Sequence, residues 1–275
     1  MNAIPDAAAR GEAFAALHQA GCFLLPNAWD AGSARLLASL GPVALATTSA
    51  GAAWTLGLRD SAMTRAEAMA NAAAILAETA LPVSADLEDG FGPAPEDCAA
   101  TVRAAGSAGL AGCTIEDTTR DAAAPIHGFD AAVARIRAAV AAARALGRPF
   151  VLTARAENFL HGRPDLDDTI RRLVAFAEAG ADCLYAPALP DLDAIRAVVA
   201  AVAPKPVNVL AGPRAGLVPL ATLAEAGVRR VSLGGALARA AYGHALELSQ
   251  ALLEGDLPRL AAVAPHAAVN GLMRP

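Results

Sequence analysis

The sequence predicts an α/β protein whose parallel strands close into a (β/α)8 TIM barrel, and three observations point there. Eight short apolar or β-branched runs recur along the 275 residues. Ala/Leu-rich stretches of helical character separate them, so strand and helix alternate throughout. Acidic, hydroxyl and arginine side chains gather where the runs end, the edge at which barrels of this kind carry their chemistry.

In chain order the strand candidates are CFLL (22–25), VALATT (43–48), VSADL (83–87), GCTIE (112–116), FVLTA (150–154), CLYA (183–186), PVNVLA (206–211) and RVSLG (230–234). Helices are expected over Arg65 to Thr79, Asp130 to Leu146, Asp167 to Ala179, Asp191 to Val202 and Ala236 to Leu253. Gly147, Gly180 and Gly227 fall a few residues before the next strand, where a helix ends on a left-handed residue. An open doubly wound sheet is the alternative, but no G-x-G-x-x-G opens a helix after the first strand. No linker, low-complexity tract or charge run divides the chain. The expectation is one domain over 1–275, with the barrel core at about 22–250, a C-terminal helical tail at about 251–275 and helical extensions at both termini.

Hydrophobic residues make up 55% of the chain, and the mean hydropathy is +0.40. The longest charge-free run, Leu36 to Leu58, is broken by Gly41-Pro42, Thr47, Thr48, Ser49, Gly51 and Thr55, so a buried helix end, a strand and a loop fit it better than a membrane span. The amino terminus, MNAIPDAAARGEAFAALHQAG, lacks the basic and apolar blocks of a secretory signal. Net charge is −5 with no Lys/Arg cluster, which argues against nucleic acid or anionic lipid as partner. The four cysteines are scattered and form no C-x-x-C, consistent with a reducing cytoplasm.

The chemistry concentrates at the predicted strand ends. Thr47-Thr48-Ser49 follow the second strand, with Asp60 in the same connection. The third strand runs into Asp86, Glu88 and Asp89, the fourth into Glu116-Asp117, and the fifth into Arg155 and Glu157. Side chains two apart on a strand share a face, so Asp86 and Glu88 point together if the extended backbone lasts that far, and Asp89 points away as a turn or helix-capping residue. Glu116, on the neighbouring strand, projects toward the same space. Oxygen ligands without histidine suit a hard cation such as Mg²⁺, which keeps several waters, and a cation would relieve the repulsion within the cluster. The competing reading is that these acids cap helices or pair with arginines. No H-E-x-x-H, G-x-S-x-G or Ser/His/Asp arrangement is present. Gly234-Gly235, after the eighth strand, offer backbone N–H groups to a phosphate or carboxylate, or simply form a tight turn.

Five blocks, TTSAGAAWTLGLRD (47–60), SADLEDGFG (84–92), GCTIEDTT (112–119), LTARAENF (152–159) and VRRVSLGGALARAAYG (228–243), resemble the isocitrate lyase/phosphoenolpyruvate mutase superfamily in order and spacing. LPNAWDAGSARLLASLG (25–41) resembles the start of its shorter, mutase-like members. The resemblance implies a (β/α)8 barrel that assembles as a dimer or tetramer by exchanging the last barrel helix. It further implies Mg²⁺, or Mn²⁺ in its place, holding a 2-oxo acid or its enolate while a neighbouring C–C or P–C bond breaks or forms. Asp86 matches the direct metal ligand, Glu88 stands where a second Asp is more usual, and Glu116 matches the acid that holds metal-bound water. Asp60 matches an acid beside the reacting centre. Thr48, Ser49 and Ala50 match the loop whose amides bind substrate oxygens. Arg155 matches a carboxylate- or phosphonate-binding arginine and Arg239, more weakly, a substrate-binding arginine of the lyases. Local alternatives are an ion pair of Arg155 with Glu116 or Glu157, an N-cap role for Asp60, and plain buried hydroxyls at Thr48 and Ser49.

The departures lie in the loop after the fourth strand, IEDTTRDAAAPIHGFD (115–130). It carries neither the K-[KR]-C-G-H segment of the lyases nor the Lys/Asn pair of the mutases, and only Arg120 and His127 are placed to reach inward from it. The expected function is a Mg²⁺-dependent carbon–carbon lyase that cleaves or decarboxylates a 2-oxo acid or a 2-hydroxy/2-oxo dicarboxylate through an enolate. P–C chemistry, by a phosphonopyruvate hydrolase or a mutase, is the second reading. A barrel that binds a small carboxylate without turnover is the third.

Overall fold

The computed structural model describes residues 6–212 and 217–274. The first five residues of the amino-terminal segment read above lie outside that range. Nine parallel strands form one sheet among the described residues. They are β1 (Phe23–Leu25), β2 (Asn27–Ala28), β3 (Leu45–Thr47), β4 (Val83–Asp86), β5 (Gly112–Glu116), β6 (Val151–Arg155), β7 (Cys183–Tyr185), β8 (Val207–Leu210) and β9 (Arg230–Ser232).

The sequence predicts eight strands; the ninth arises because the first is split. Pro26 has no N–H to give to the ladder, so the segment breaks there into β1, which pairs with β9, and β2, which pairs with β3. The two halves act as one kinked strand that closes the barrel. The Pro26 carbonyl still accepts from the Ala46 amide at 2.9 Å.

Helices α1 (Ala7–Leu17), α2 (Ala31–Ala38), α3 (Ser49–Thr55), α4 (Arg65–Ala77), α5 (Pro95–Ser107), α6 (Phe129–Arg144), α7 (Leu166–Glu178), α8 (Leu192–Val202), α9 (Leu220–Glu225), α10 (Ala236–Leu253) and α11 (His266–Asn270) complete the described chain. Asp30 and Thr64 start α2 and α4 through capping boxes, and Asp165 and Asp191 cap α7 and α8. The larger core lies between sheet and helices, with Ile75, Val102, Ile136, Phe176 and Val198 buried against the outward faces of the strands. A smaller core of Phe14, Leu25, Ala44, Ala111, Val151 and Cys183 fills the lower barrel interior, where α1 plugs the N-terminal mouth. That plug leaves the C-terminal mouth as the open end. On α10 only Ala238 is buried, while Leu246 and Leu253 are exposed. The tail beyond it returns to the barrel, where Arg35 Nε donates to the Leu272 carbonyl at 2.7 Å and Arg274 pairs with Glu78 at 2.6 Å.

Candidate active site

A cavity of about 410 Å³ opens at the C-terminal mouth, lined among others by Ser49, Ala50, Asp60, Asp86, Glu88, Glu116 and Arg155. Each comes from the end of a strand or from the connection to the next long helix, which after β3 includes the short helix α3, so parallel pairing is what assembles them. The register sets Asp86 opposite Thr114 and Glu116 opposite Arg155.

Arg155 is the hub. Its Nη1 lies 3.2 Å from Asp86 Oδ1 and 3.1 Å from Glu116 Oε2, while its other nitrogens hold Glu157 Oε1 at 2.7 Å. Its guanidinium also sits 4.8 Å from the centre of the Tyr185 ring, a cation–π contact. The ion pairs raised as an alternative for Arg155 are therefore formed, and they are formed inside the cavity. Asp86 Oδ2 accepts from the Ser49 hydroxyl at 3.0 Å and the Ser49 amide at 3.3 Å, and its Oδ1 accepts from Thr114 at 3.1 Å. Glu116 accepts from the Thr118 hydroxyl at 2.7 Å.

Glu88 reaches the cavity differently from what strand periodicity predicts. β4 ends at Asp86, and Glu88 adopts φ 48°, a left-handed conformation unfavourable for a residue with a Cβ and characteristic of functional turns. The turn, not the pleat, carries its carboxylate inward, where it is 4% exposed. Asp89 stays out of the main cavity but borders a side chamber with Glu88, and it serves the turn: it accepts from the Phe91 amide at 2.9 Å and pairs with Arg120 at 3.2 Å. The following helix, α5, is capped by Asp97 instead, through the Ala94 amide at 3.0 Å.

Three carboxylates thus share the Arg155 guanidinium, and a fourth, Glu88, has only Arg120 at 3.6 Å. Burial first, then the charges of Asp86 and Glu116, push the Glu88 carboxyl up to about 8. Burial also pushes Glu116 and Glu157 upward against the pull of Arg155. Asp60, at the rim, is raised by desolvation and by Asp86, and its Oδ1 accepts from the Ser61 amide at 3.0 Å. Because Thr64 caps α4, the N-cap alternative for Asp60 does not apply.

Whether these residues suit a cation can be asked of Glu88 itself. Its Oε1 is buried without any hydrogen-bond partner, a costly state for a carboxylate oxygen and one that a cation or its water would relieve. No three acids, histidines or cysteines among the described residues converge closely enough to enclose an ion by themselves. Mg²⁺, which keeps several waters and takes one or two carboxylates, does not require that they should. The donor set fits it.

Other expectations fare unevenly. Thr48 is buried and caps α3 through the Gly51 amide at 3.4 Å, so its hydroxyl is structural. The Ser49 amide is turned onto Asp86. The Gly234 amide is taken by Asn27 Oδ1 at 3.0 Å, together with that of Leu233 at 2.9 Å, which leaves the Gly-Gly turn a poorer anion cradle than the sequence suggests. Arg239 is exposed on α10 and does not line the cavity. His127 also stays outside the lining; its amide donates to the Asp117 carbonyl at 2.8 Å and its carbonyl accepts from Arg172 at 2.9 Å. Asp117 turns from the cavity to pair with Arg172 at 3.0 Å. Arg120 does reach in, lying 3.6 Å from Glu88 and donating to the Ser61 carbonyl at 3.1 Å.

The profile of phosphoenolpyruvate phosphomutases matches residues 14–253, which include every one of these strand ends. The chain belongs to the phosphoenolpyruvate phosphomutase family. Within that family it is 52% identical to a Burkholderia cenocepacia J2315 protein with a provisional lyase/mutase assignment, whose crystal structure superposes with a TM-score of 0.93 over 96% of this chain and 95% of that one. It is 32% identical to the probable 2-methylisocitrate lyase 2 of Corynebacterium glutamicum, over 85% of this chain and 75% of the relative. It is also 32% identical to an oxaloacetate decarboxylase of Rhodopseudomonas palustris strain BisB5, over 91% and 86%. The family is one of lyase and mutase enzymes.

Sequence reasoning missed several cavity residues. Tyr185, Asn208 and Arg230 line its wall and floor and His161 its mouth. Tyr185 is in register with Arg155 on one side and Asn208 on the other, so pairing the strands would have found them. His161 lies in an irregular loop that gives no periodic signal.

Proposed function

We propose that the chain is a divalent-metal-dependent carbon–carbon lyase that acts on a 2-oxo acid or a 2-hydroxy/2-oxo dicarboxylate through an enolate. The observation that carries this reading is the gathering of Asp86, Glu88 and Glu116 in one cavity, the first and last on Arg155 and one Glu88 oxygen left unpaired. Asp86, Glu88 and Glu116 would hold Mg²⁺ or Mn²⁺, Asp86 directly and the others directly or through water. When bound, the cation supplies Lewis-acid stabilisation of developing negative charge.

The chain's own residues do the rest. Arg155 turns its guanidinium toward a substrate carboxylate and toward the charge that grows as the bond breaks, a preorganised electrostatic contribution. Ser49 and Ala50 border the substrate's oxygens, and Asp60 lies at the rim beside the carbon that reacts. Arg120 and the loop after β5 cover the carboxylates from above, and the antiparallel bridge between Thr118 and Ile126 keeps that loop compact. The C. glutamicum and R. palustris relatives support cleavage and decarboxylation as the chemistry. The exposed apolar side chains of α10 support assembly with further copies of the chain, as a dimer or tetramer by helix exchange.

The test is turnover by purified protein with Mg²⁺ or Mn²⁺ and, in turn, oxaloacetate, substituted malates and phosphonopyruvate, with pyruvate, glyoxylate and phosphate measured. Metal-dependent formation of a 2-oxo acid from one of the carboxylates is expected. Phosphate released from phosphonopyruvate alone would favour the P–C reading. Absence of turnover and of a metal-dependent thermal shift would leave only a binding barrel.

A further inference from the structure

We propose that His161 is the proton carrier of this site, delivering a proton to the carbon left with the electron pair when the substrate bond breaks. The inference rests on the lyase reading above. Among the described residues His161 is the only histidine lining the cavity, and it also borders a side chamber of about 70 Å³ where Glu88, Glu116 and Arg120 meet. Its position is braced. The His161 amide donates to the Glu157 carbonyl at 3.2 Å, the Arg163 amide to the Asn158 carbonyl at 2.9 Å, and the Asn158 side chain to Asp168 at 2.8 Å. The backbone of the loop is thus anchored beside the Arg155–Glu157 pair, while His161 itself stays exposed to solvent, from which it can be reprotonated.

The other candidates in the cavity are engaged by neighbours, Asp60 by the Ser61 amide at 3.0 Å and the Ser49 hydroxyl at 3.4 Å. Tyr185 is buried against Arg155, and burial drives its hydroxyl up to about 12. Glu157 is held by Arg155. Asp86, Glu88 and Glu116 form the proposed cation set. The loop after β5 brings only Thr118, Thr119 and Arg120 to the side chamber, and a guanidinium does not release its proton near neutral pH. An imidazole is suited to general acid–base work; burial and then the Arg155 charge lower the pKa of His161 from its ordinary value.

In decarboxylation of a 2-oxo dicarboxylate, breakage of the C–C bond releases CO₂ and leaves the electron pair on the 2-oxo acid fragment as an enolate. The N–H bond of the His161 imidazolium breaks, a C–H bond forms at the enolate carbon, the enolate becomes the ketone, and the neutral imidazole regains its proton from water.

Exchange of pyruvate methyl protons for deuterium, followed by NMR in D₂O with Mg²⁺, isolates this step. Oxalate, which mimics the enolate, reports an intact site through its metal-dependent thermal shift. The wild-type protein should exchange; His161→Gln and His161→Ala should lose about 100-fold in exchange rate while keeping the oxalate shift. Free imidazole should restore part of the rate to His161→Ala, which a structural role would not allow. Unchanged exchange in the variants overturns the role of His161 and leaves the lyase reading standing. So does a wild-type protein that binds oxalate but does not exchange, while loss of the oxalate shift in the variants marks a structural role and counts against the proposal. A wild-type protein that neither exchanges nor binds oxalate overturns both.

Discussion

At the N-terminal mouth of the barrel, Phe14, His18 and Phe23 stack edge to face, with Phe14–His18 and His18–Phe23 centroids 4.8 and 5.2 Å apart. Above them Arg230 donates to Asn208 at 2.8 Å and Thr153 at 2.9 Å and lies 3.3 Å from His18 Nε2. Burial and then Arg230 push His18 down to about 3, so its ring stays neutral and accepts from the guanidinium. At the C-terminal mouth, by contrast, Asp86, Glu116 and Glu157 crowd Arg155, Glu88 has only Arg120 at 3.6 Å, and one Glu88 oxygen goes unpaired. One end spends its side chains on packing and polar pairing. The other keeps an excess of negative charge that only something from outside the chain can balance, the signature of stability yielded to function.

The largest effect is expected from the packed end. Phe14→Ala should cost about 3–5 kcal/mol of stability, read by denaturant unfolding, with kcat per folded molecule unchanged. A loss of kcat in this variant would show that the two mouths are coupled, against the separation drawn here.

A smaller effect follows from the charged end without metal. The folded protein holds a proton on Glu88 up to about pH 8, whereas its ordinary value is 4.5. Between those values the folded state binds more protons than the unfolded one, so stability falls as pH rises. Glu116 and Glu157 act in the same direction. In the presence of a chelator, Tm should therefore decline from pH 5 to pH 8, and Glu88→Gln should flatten that slope. A Tm that rises over this range would contradict the repulsion inferred for the cluster.

The smallest effect belongs to Arg120, whose side chain is 47% exposed. The arginine is open to solvent although the Glu88 and Asp89 carboxylates it faces are buried, so Arg120→Gln should cost no more than about 1 kcal/mol of stability. The same substitution should lower kcat/KM several-fold, because the loop after β5 loses its tie to Ser61 and Asp89. Equal loss of stability and activity would make Arg120 a plain structural residue.

Much of the barrel was legible because its strands are short apolar runs with fixed positions between helices. GCTIE becomes β5 without a residue's change, and the Ala236 to Leu253 helix is found as read. The break at Pro26 was not anticipated, although a residue without an N–H inside a ladder announces it. In the site, Asp60, Asp86, Glu116 and Arg155 converge because strand ends converge in any closed parallel barrel. Glu88 lines the cavity although the extended strand stops at Asp86, because a left-handed turn takes over there. Arg239 lies outside the cavity lining, and of the two readings left open for Gly234-Gly235 the tight turn fits better, because Asn27, distant in sequence, takes the Gly234 amide. His161 carries no local pattern, and only three dimensions bring its loop to the cavity.

The central claim is that the carboxylates of the C-terminal mouth are built for a divalent cation. Titration of the purified protein with Mg²⁺ at pH 8, followed by Tm, tests it most directly, with Asp86→Ala beside the wild type. A saturable rise in the wild-type Tm that Asp86→Ala abolishes is expected, as binding to the folded state alone requires. An unmoved wild-type Tm, or an equal rise in Asp86→Ala, would contradict it.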